Sequence, residues 1–253
     1  MTSRPTFGFV HGAWHRRSSW SRLTSELDRR GFASVTMDLP SDDPDAGVDQ
    51  YADAVVAALD DVDSPLILVG HSLGGLTIPV VASIRPVALL VYLCALLPQP
   101  GTSLVAQRAT DTDMMTTRWL EEWLPQQIKH PDGTVSWPTE LAADIFYHDC
   151  NDADIASGLA QLRPQSARPM AETTPLAAWP QIPAEYIACE SDRVVNPGWS
   201  RRAAKERLGV DAHELVGGHS PFLADPGTLA DCLVELATTH GLLPTEGRPT
   251  AHV

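Results

Sequence analysis

Positive charge is scarce in this chain: 18 lysines and arginines stand against 32 aspartates and glutamates, a formal net charge of −14 over 253 residues. A surface of that sign repels polyanions, so nucleic acid and anionic membrane faces are poor partners, whereas a neutral or cationic small molecule fits better. Long-range repulsion still leaves room for a local basic pocket that holds a carboxylate. Long hydrophobic runs are also missing, and none approaches the roughly 20 residues that span a bilayer. Cysteine is thin: Cys94, Cys150, Cys189 and Cys232 are widely separated, without a CxxC pair or a histidine at zinc-like spacing. That pattern predicts free thiols and argues against a structural metal site. The opening stretch "MTSRPTFGFVHG" has no apolar h-region or small-residue cleavage site, so a cytoplasmic location is expected.

What is present is alternation. "TFGFV" (6–10), "ASVTM" (33–37), "LILVG" (66–70) and "VALLVYLCAL" (87–96) read as strands buried on both faces, with helices expected over 18–30, 48–62 and 73–84. Strands resume at "AEYIACE" (184–190) and weakly at "DAHELVG" (211–217), followed by helices near 198–208 and 226–240. This predicts an α/β fold, a mostly parallel sheet of about six strands flanked by helices. Between 98 and 180 no buried strand is evident, and tryptophans punctuate polar, proline-containing sequence. We read 98–180 as a helical cap inserted into a core formed by 1–97 and 181–253. The aspartate-rich loop "DLPSDDPDAGVDQ" (38–50) lacks the EF-hand order of ligands and reads as a solvated turn. The tail "LPTEGRPTAHV" is expected to fray.

"LVGHSLGGL" places Ser72 between Gly70 and Gly74 at the junction of a buried strand and a helix. A Gly-x-Ser-x-Gly pentad is common by chance, but this junction is where a tight turn lifts a serine hydroxyl above a sheet edge as a nucleophile. The Leu73 N–H at the ensuing helix start is a candidate oxyanion donor, and Ala13, in "FVHGAW" after the first strand, supplies a second. Gly12 lets that loop approach the turn closely. The base best placed is His219, in the glycine-flanked loop "VGGHSPFL"; His71, next to Ser72 on a strand end, is expected to point away. His11, His15, His130 and His148 compete less well, although His148 could face the pocket. Asp192, directly after the strand 184–190, is the best partner for the base, ahead of Glu190, Asp149 and Asp152. Pro79 falls inside the helix expected after the turn, which predicts a kink.

Together "FVHGAWH", "VGHSLGG", "ACESDRVVNP" and "GGHSPFLADP" resemble the α/β-hydrolase superfamily, specifically the small esterase branch with plant salicylate-methyl-ester esterases and hydroxynitrile lyases. The resemblance covers nearly the whole chain and is weakest over 98–180. It implies Ser72 as nucleophile, Asp192 as acid, His219 as base, and the Ala13 and Leu73 amides as oxyanion hole. Lyase members carry threonine or asparagine where this chain has Gly12, and some a lysine where it has Ser220, so ester hydrolysis is the simpler expectation. The expected substrate is a small, largely uncharged ester, with Trp119, Trp123, Trp137, Tyr147 and His148 as candidate pocket residues beside Phe146. No cofactor or metal is required, and the chain is expected to be a monomer or homodimer. Two alternatives remain: a lyase or carbon–carbon bond hydrolase on the same triad, and a ligand-binding receptor that retains it.

Overall fold

The computed structural model describes residues 3–243. The expected fraying of the tail beyond them lies outside the described residues. In chain order the elements are β1 (Thr6–Val10), α1 (Ser21–Arg29), β2 (Ser34–Thr36), α2 (Val48–Ala58), β3 (Leu66–His71), α3 (Ile78–Ile84) and β4 (Leu89–Leu93). Next come α4 (Leu104–Thr110), β5 (Ile128–Lys129), β6 (Thr134–Ser136), α5 (Thr139–Phe146), α6 (Asp152–Leu159), β7 (Gln165–Ser166) and α7 (Arg168–Ala171). The chain then returns through β8 (Ala184–Cys189), α8 (Pro197–Ala203), β9 (His213–Leu215), α9 (Pro221–Ala224) and α10 (Pro226–Thr239).

The main sheet has six strands in the order β2-β1-β3-β4-β8-β9, and every pairing is parallel. Each residue of β1, β3 and β4 is buried, which is why these strands read as unbroken apolar runs rather than alternations. Helices supply the cover: α1 buries Leu23 and Leu27 one turn apart, and α10 buries Leu229, Leu233 and Leu236 at helical spacing. Because all six strands run the same way, the segments following β1, β3, β4, β8 and β9 emerge at one edge. That edge collects residues far apart in sequence. No helix among the described residues is long and apolar enough to cross a membrane.

Two local expectations need correction. The 98–180 segment is not purely helical, because β5, β6 and β7 form a small antiparallel sheet with Lys129 opposite Val135 and Thr134 opposite Ser166. Strands of two or three residues are too short to display a period of two. The signal that could have found them is Asp132-Gly133, a hairpin dipeptide whose glycine has φ of 87°. The second correction concerns Pro79, which does not kink a long helix. The chain makes a tight 3₁₀ turn over Ser72–Leu76 before α3 begins, so Pro79 occupies the first turn of α3, where its missing N–H breaks no helical bond.

The tight turn is wedged between neighbouring backbones. A Cβ on Gly75 would lie 2.2 Å from the Leu96 carbonyl oxygen, and one on Gly74 2.7 Å from that of Val10. Both obstacles are main chain, so neither can swing aside. Gly75→Ala should therefore lower the unfolding free energy by about 1–3 kcal/mol or more. Urea titration checks this, and an unshifted midpoint would show that the turn is looser than the structure has it.

Candidate active site

Ser72 follows β3 directly and has φ of 50°, in the left-handed region that a residue with a side chain enters only under constraint. Several contacts impose it. The Leu96 N–H donates to the Ser72 carbonyl at 3.0 Å. A Cβ on Gly70 would lie 2.9 Å from the Gly74 carbonyl oxygen, and one on Gly12 2.8 Å from Ser72 Cβ. The loop after β1 thus abuts the turn, as the Gly12 expectation requires. Ala13, Ser72 and Leu73 line one cavity. Among the described residues the Ala13 N–H has no protein acceptor, and Leu73 lies in the first residues of a helical turn, whose N–H groups the helix leaves unpaired.

His219 and Asp192 meet as expected. His219 Nδ1 donates to Asp192 Oδ2 at 2.8 Å, and the two residues are 1% and 5% exposed. The other carboxylate oxygen accepts the N–H groups of Val194 at 2.7 Å and Val195 at 3.2 Å. A carboxylate gripped this way holds the proton on Nδ1 and leaves the lone pair on Nε2, the tautomer a general base needs. The competing acids do other work. Glu190 is exposed, Asp152 opens α6, and Asp149 Oδ2 accepts the Gly218 N–H at 2.6 Å, bracing the loop that carries His219.

The remaining histidines correct one expectation. His71 does not simply point away: its Nε2 donates to the His219 carbonyl at 2.8 Å, and the two rings lie 4.6 Å apart. His15 stands across from His71 at 5.5 Å, donates from Nδ1 to the Ala13 carbonyl at 2.8 Å, and accepts the Tyr147 hydroxyl at Nε2 at 3.1 Å. His11 donates from Nδ1 to the Gly12 carbonyl at 2.9 Å and accepts the Leu39 N–H at Nε2 at 3.0 Å. Each tautomer follows from its partners. These buried rings brace the loop after β1 and the backbone of His219. His130 bonds Ser136 in the small sheet, and His148 packs against Gly218, where a Cβ would lie 2.5 Å from its Cε1.

The cavity is narrow, with a volume of about 100 Å³, and it opens to solvent. Of the expected pocket residues Trp119 lines it, together with Trp14, Met114 and Met115, which sequence reasoning missed. Trp137 lines a neighbouring cavity that shares Trp14 as its wall. Trp123 is buried beneath the Arg118 guanidinium, and Tyr147 serves His15. Trp14 gathers the aromatics of the 98–180 segment, with ring distances of 6.0 Å to Trp119, 5.4 Å to Trp137 and 5.7 Å to Phe146. Its φ of 64° lies in the left-handed region, which its local sequence does not announce.

The four cysteines are free thiols. Cys94 has a donor atom within 4.8 Å of donor atoms on Asp192 and His219. This trio suits a metal poorly: contact with the Cys189 side chain, then burial, pushes the Cys94 thiol well above its ordinary pKa, and His219 Nδ1 is already committed to Asp192.

Burial lowers the pKa of His11 from 6.5 to about 4 and that of His15 from 6.5 to about 3. Burial likewise pushes His71 well below the usual range. Below pH 6.5 the unfolded chain binds protons at these positions that the folded chain refuses, so stability falls with acidification towards each folded pKa. At pH 5 each of the His11 and His15 rings costs about 2 kcal/mol. Urea unfolding between pH 7 and pH 5 should show His11→Gln with a shallower decline, by about one proton of linkage. Parallel curves for the variant and the parent chain would contradict the assignment.

A profile of the alpha/beta hydrolase family matches residues 9–232. The chain is 26% identical over 243 residues to the alpha/beta hydrolase nvfD of Aspergillus novofumigatus, covering 88% of this chain and 92% of that one. It is 26% identical over 262 residues to methylesterase 18 of Arabidopsis thaliana, covering 92% of this chain and 97% of the relative. The crystal structure of a pyrethroid hydrolase superposes with a TM-score of 0.76 at 22% identity, covering 94% of this chain and 99% of that one. With its parallel six-stranded sheet and a family match that runs through Ser72, Asp192 and His219, the chain belongs to the alpha/beta hydrolase family.

Proposed function

We propose that this protein is a serine hydrolase that cleaves a carboxylic ester of a small molecule with a largely apolar body, through an acyl-enzyme intermediate. The observation that carries the reading is the convergence at one sheet edge of a serine in a strained turn and a buried His219–Asp192 pair. Relatives support it in name: one is a methylesterase and a structural neighbour is a pyrethroid hydrolase.

The steps follow from the atoms present. Ser72 Oγ attacks the ester carbonyl carbon while His219 Nε2 takes its proton, and Asp192 stabilises the imidazolium that forms. Negative charge grows on the carbonyl oxygen, facing the Ala13 and Leu73 N–H groups. Collapse breaks the ester C–O bond as His219 returns the proton to the leaving alcohol. Water then attacks the acyl group by the same route and frees the acid and Ser72. Among the described residues Ser72 Oγ makes no hydrogen bond, and the mechanism requires one to His219 Nε2 in the substrate complex. Gly12 favours hydrolysis over the lyase alternative: a Cβ there would also lie 2.8 Å from His71 Nδ1, so the threonine or asparagine of lyases would not fit without rearrangement.

Turnover of p-nitrophenyl esters from acetate to decanoate should fall by about 10³-fold or more in Ser72→Ala, and by about 10³–10⁴-fold in Asp192→Asn, which presents the wrong tautomer. Circular dichroism should show both variants folded. Full turnover by Ser72→Ala would overturn the mechanism.

A further inference from the structure

Nearly every cation of this acidic chain is spoken for. Among the described residues each arginine except Arg108 places its guanidinium against a carbonyl or a carboxylate. Arg108 stands in the last turn of α4, half-buried, with no hydrogen bond, ion pair or aromatic face among those residues. Its position is not incidental, because Arg108 lines the same cavity as Ser72. Gln127, just before β5, lines the cavity as well, and among the described residues its side-chain amide has no protein partner; only its backbone N–H is bonded, to the Leu124 carbonyl at 3.3 Å. The surrounding wall is leucine, methionine, valine and tryptophan.

A cationic and an amide side chain without protein partners, both on the wall of an otherwise apolar cavity, point to recognition rather than packing. A guanidinium presents a planar fork of donors that matches a carboxylate, and the apolar surroundings strengthen the charge-assisted bonds relative to water. One positive charge on this cavity wall, in a protein of net charge −14, suits a single negative charge, while more highly charged anions are repelled over long range.

We propose that the preferred ester carries one carboxylate at the end remote from the scissile carbonyl, held by Arg108 with Gln127 as its neutral neighbour. A half-ester of a linear dicarboxylic acid is the simplest such molecule. This rests on the ester-hydrolase reading and narrows it: the body of the substrate is apolar, and its far end is anionic. Arg108 is a specificity-determining residue here and takes no part in bond making.

Binding to Ser72→Ala tests the inference without needing turnover. Calorimetric titration would compare monomethyl and dimethyl esters of adipic, suberic and sebacic acids at low salt. The half-ester of the best-fitting length should bind at least about tenfold more tightly than its diester, as a charged hydrogen bond predicts. That ratio should fall to about one in Ser72→Ala with Arg108→Gln, persist in part with Arg108→Lys, and shrink as salt is raised. In the otherwise unaltered enzyme the same ratio should appear in kcat/KM, mainly through KM. Equal binding of half-ester and diester at every length, or a preference that survives Arg108→Gln, would overturn the proposal. Those outcomes leave the hydrolase reading intact if neutral esters are still cleaved through Ser72. Conversely, a carboxylate preference in binding with no Ser72-dependent cleavage would sink the hydrolase reading and keep the anion site.

Discussion

The site depends on a close crossing of backbones at the end of β3. For Ser72 to sit at φ of 50° above the sheet, the loop after β1, the tight turn itself and the end of β4 must pass within van der Waals distance of one another. Only glycine permits this at positions 12, 70, 74 and 75, because a Cβ at any of them would lie under 3.0 Å from a neighbouring atom. The parallel sheet supplies the rest. It brings the ends of β8 and β9 to the same edge, where the two loops deliver Asp192 and His219 to each other. Strain in the turn is thereby sustained by the core rather than by the turn's own bonds.

A second layer of polar order lies beneath the reacting groups. His11, His15 and His71 each donate one ring proton to a carbonyl, of Gly12, Ala13 and His219 respectively. Their carbonyl partners belong to the loop after β1 and to His219 itself. Neutral rings do this without placing a permanent charge beside the buried His219–Asp192 pair. The same burial that keeps them neutral makes the fold sensitive to acid.

Much of this was legible in the sequence, for identifiable reasons. Strands buried on both faces leave continuous apolar runs, so β1, β3, β4 and β8 stand out. Ser72 and Asp192 each follow such a strand, whereas His219 follows the short and largely exposed β9; the edge they share is implied by the alternation. What lay hidden was set by long-range packing. Trp14 meets Trp119 and Trp137 more than 100 positions away, and neither partner's local pattern announces it. The bond from His71 to the carbonyl of His219 joins residues 148 apart. The β5–β7 sheet was too short for periodicity, and Pro79 was misread because a 3₁₀ turn and a helix share one apolar pattern. The role of an arginine depends on which partners the fold denies it, which no local window contains.

Acyl transfer through Ser72 requires that its Oγ become covalently acylated. Brief mixing with a slowly deacylating activated ester or an alkyl fluorophosphonate, acid quenching and peptide mass spectrometry would test it most directly. The account predicts one adduct, on the peptide that contains Ser72, absent from Ser72→Ala and strongly slowed in a variant lacking the His219 imidazole. An adduct on another residue, or turnover of the ester with no covalent intermediate under conditions that trap known serine hydrolases, would contradict it.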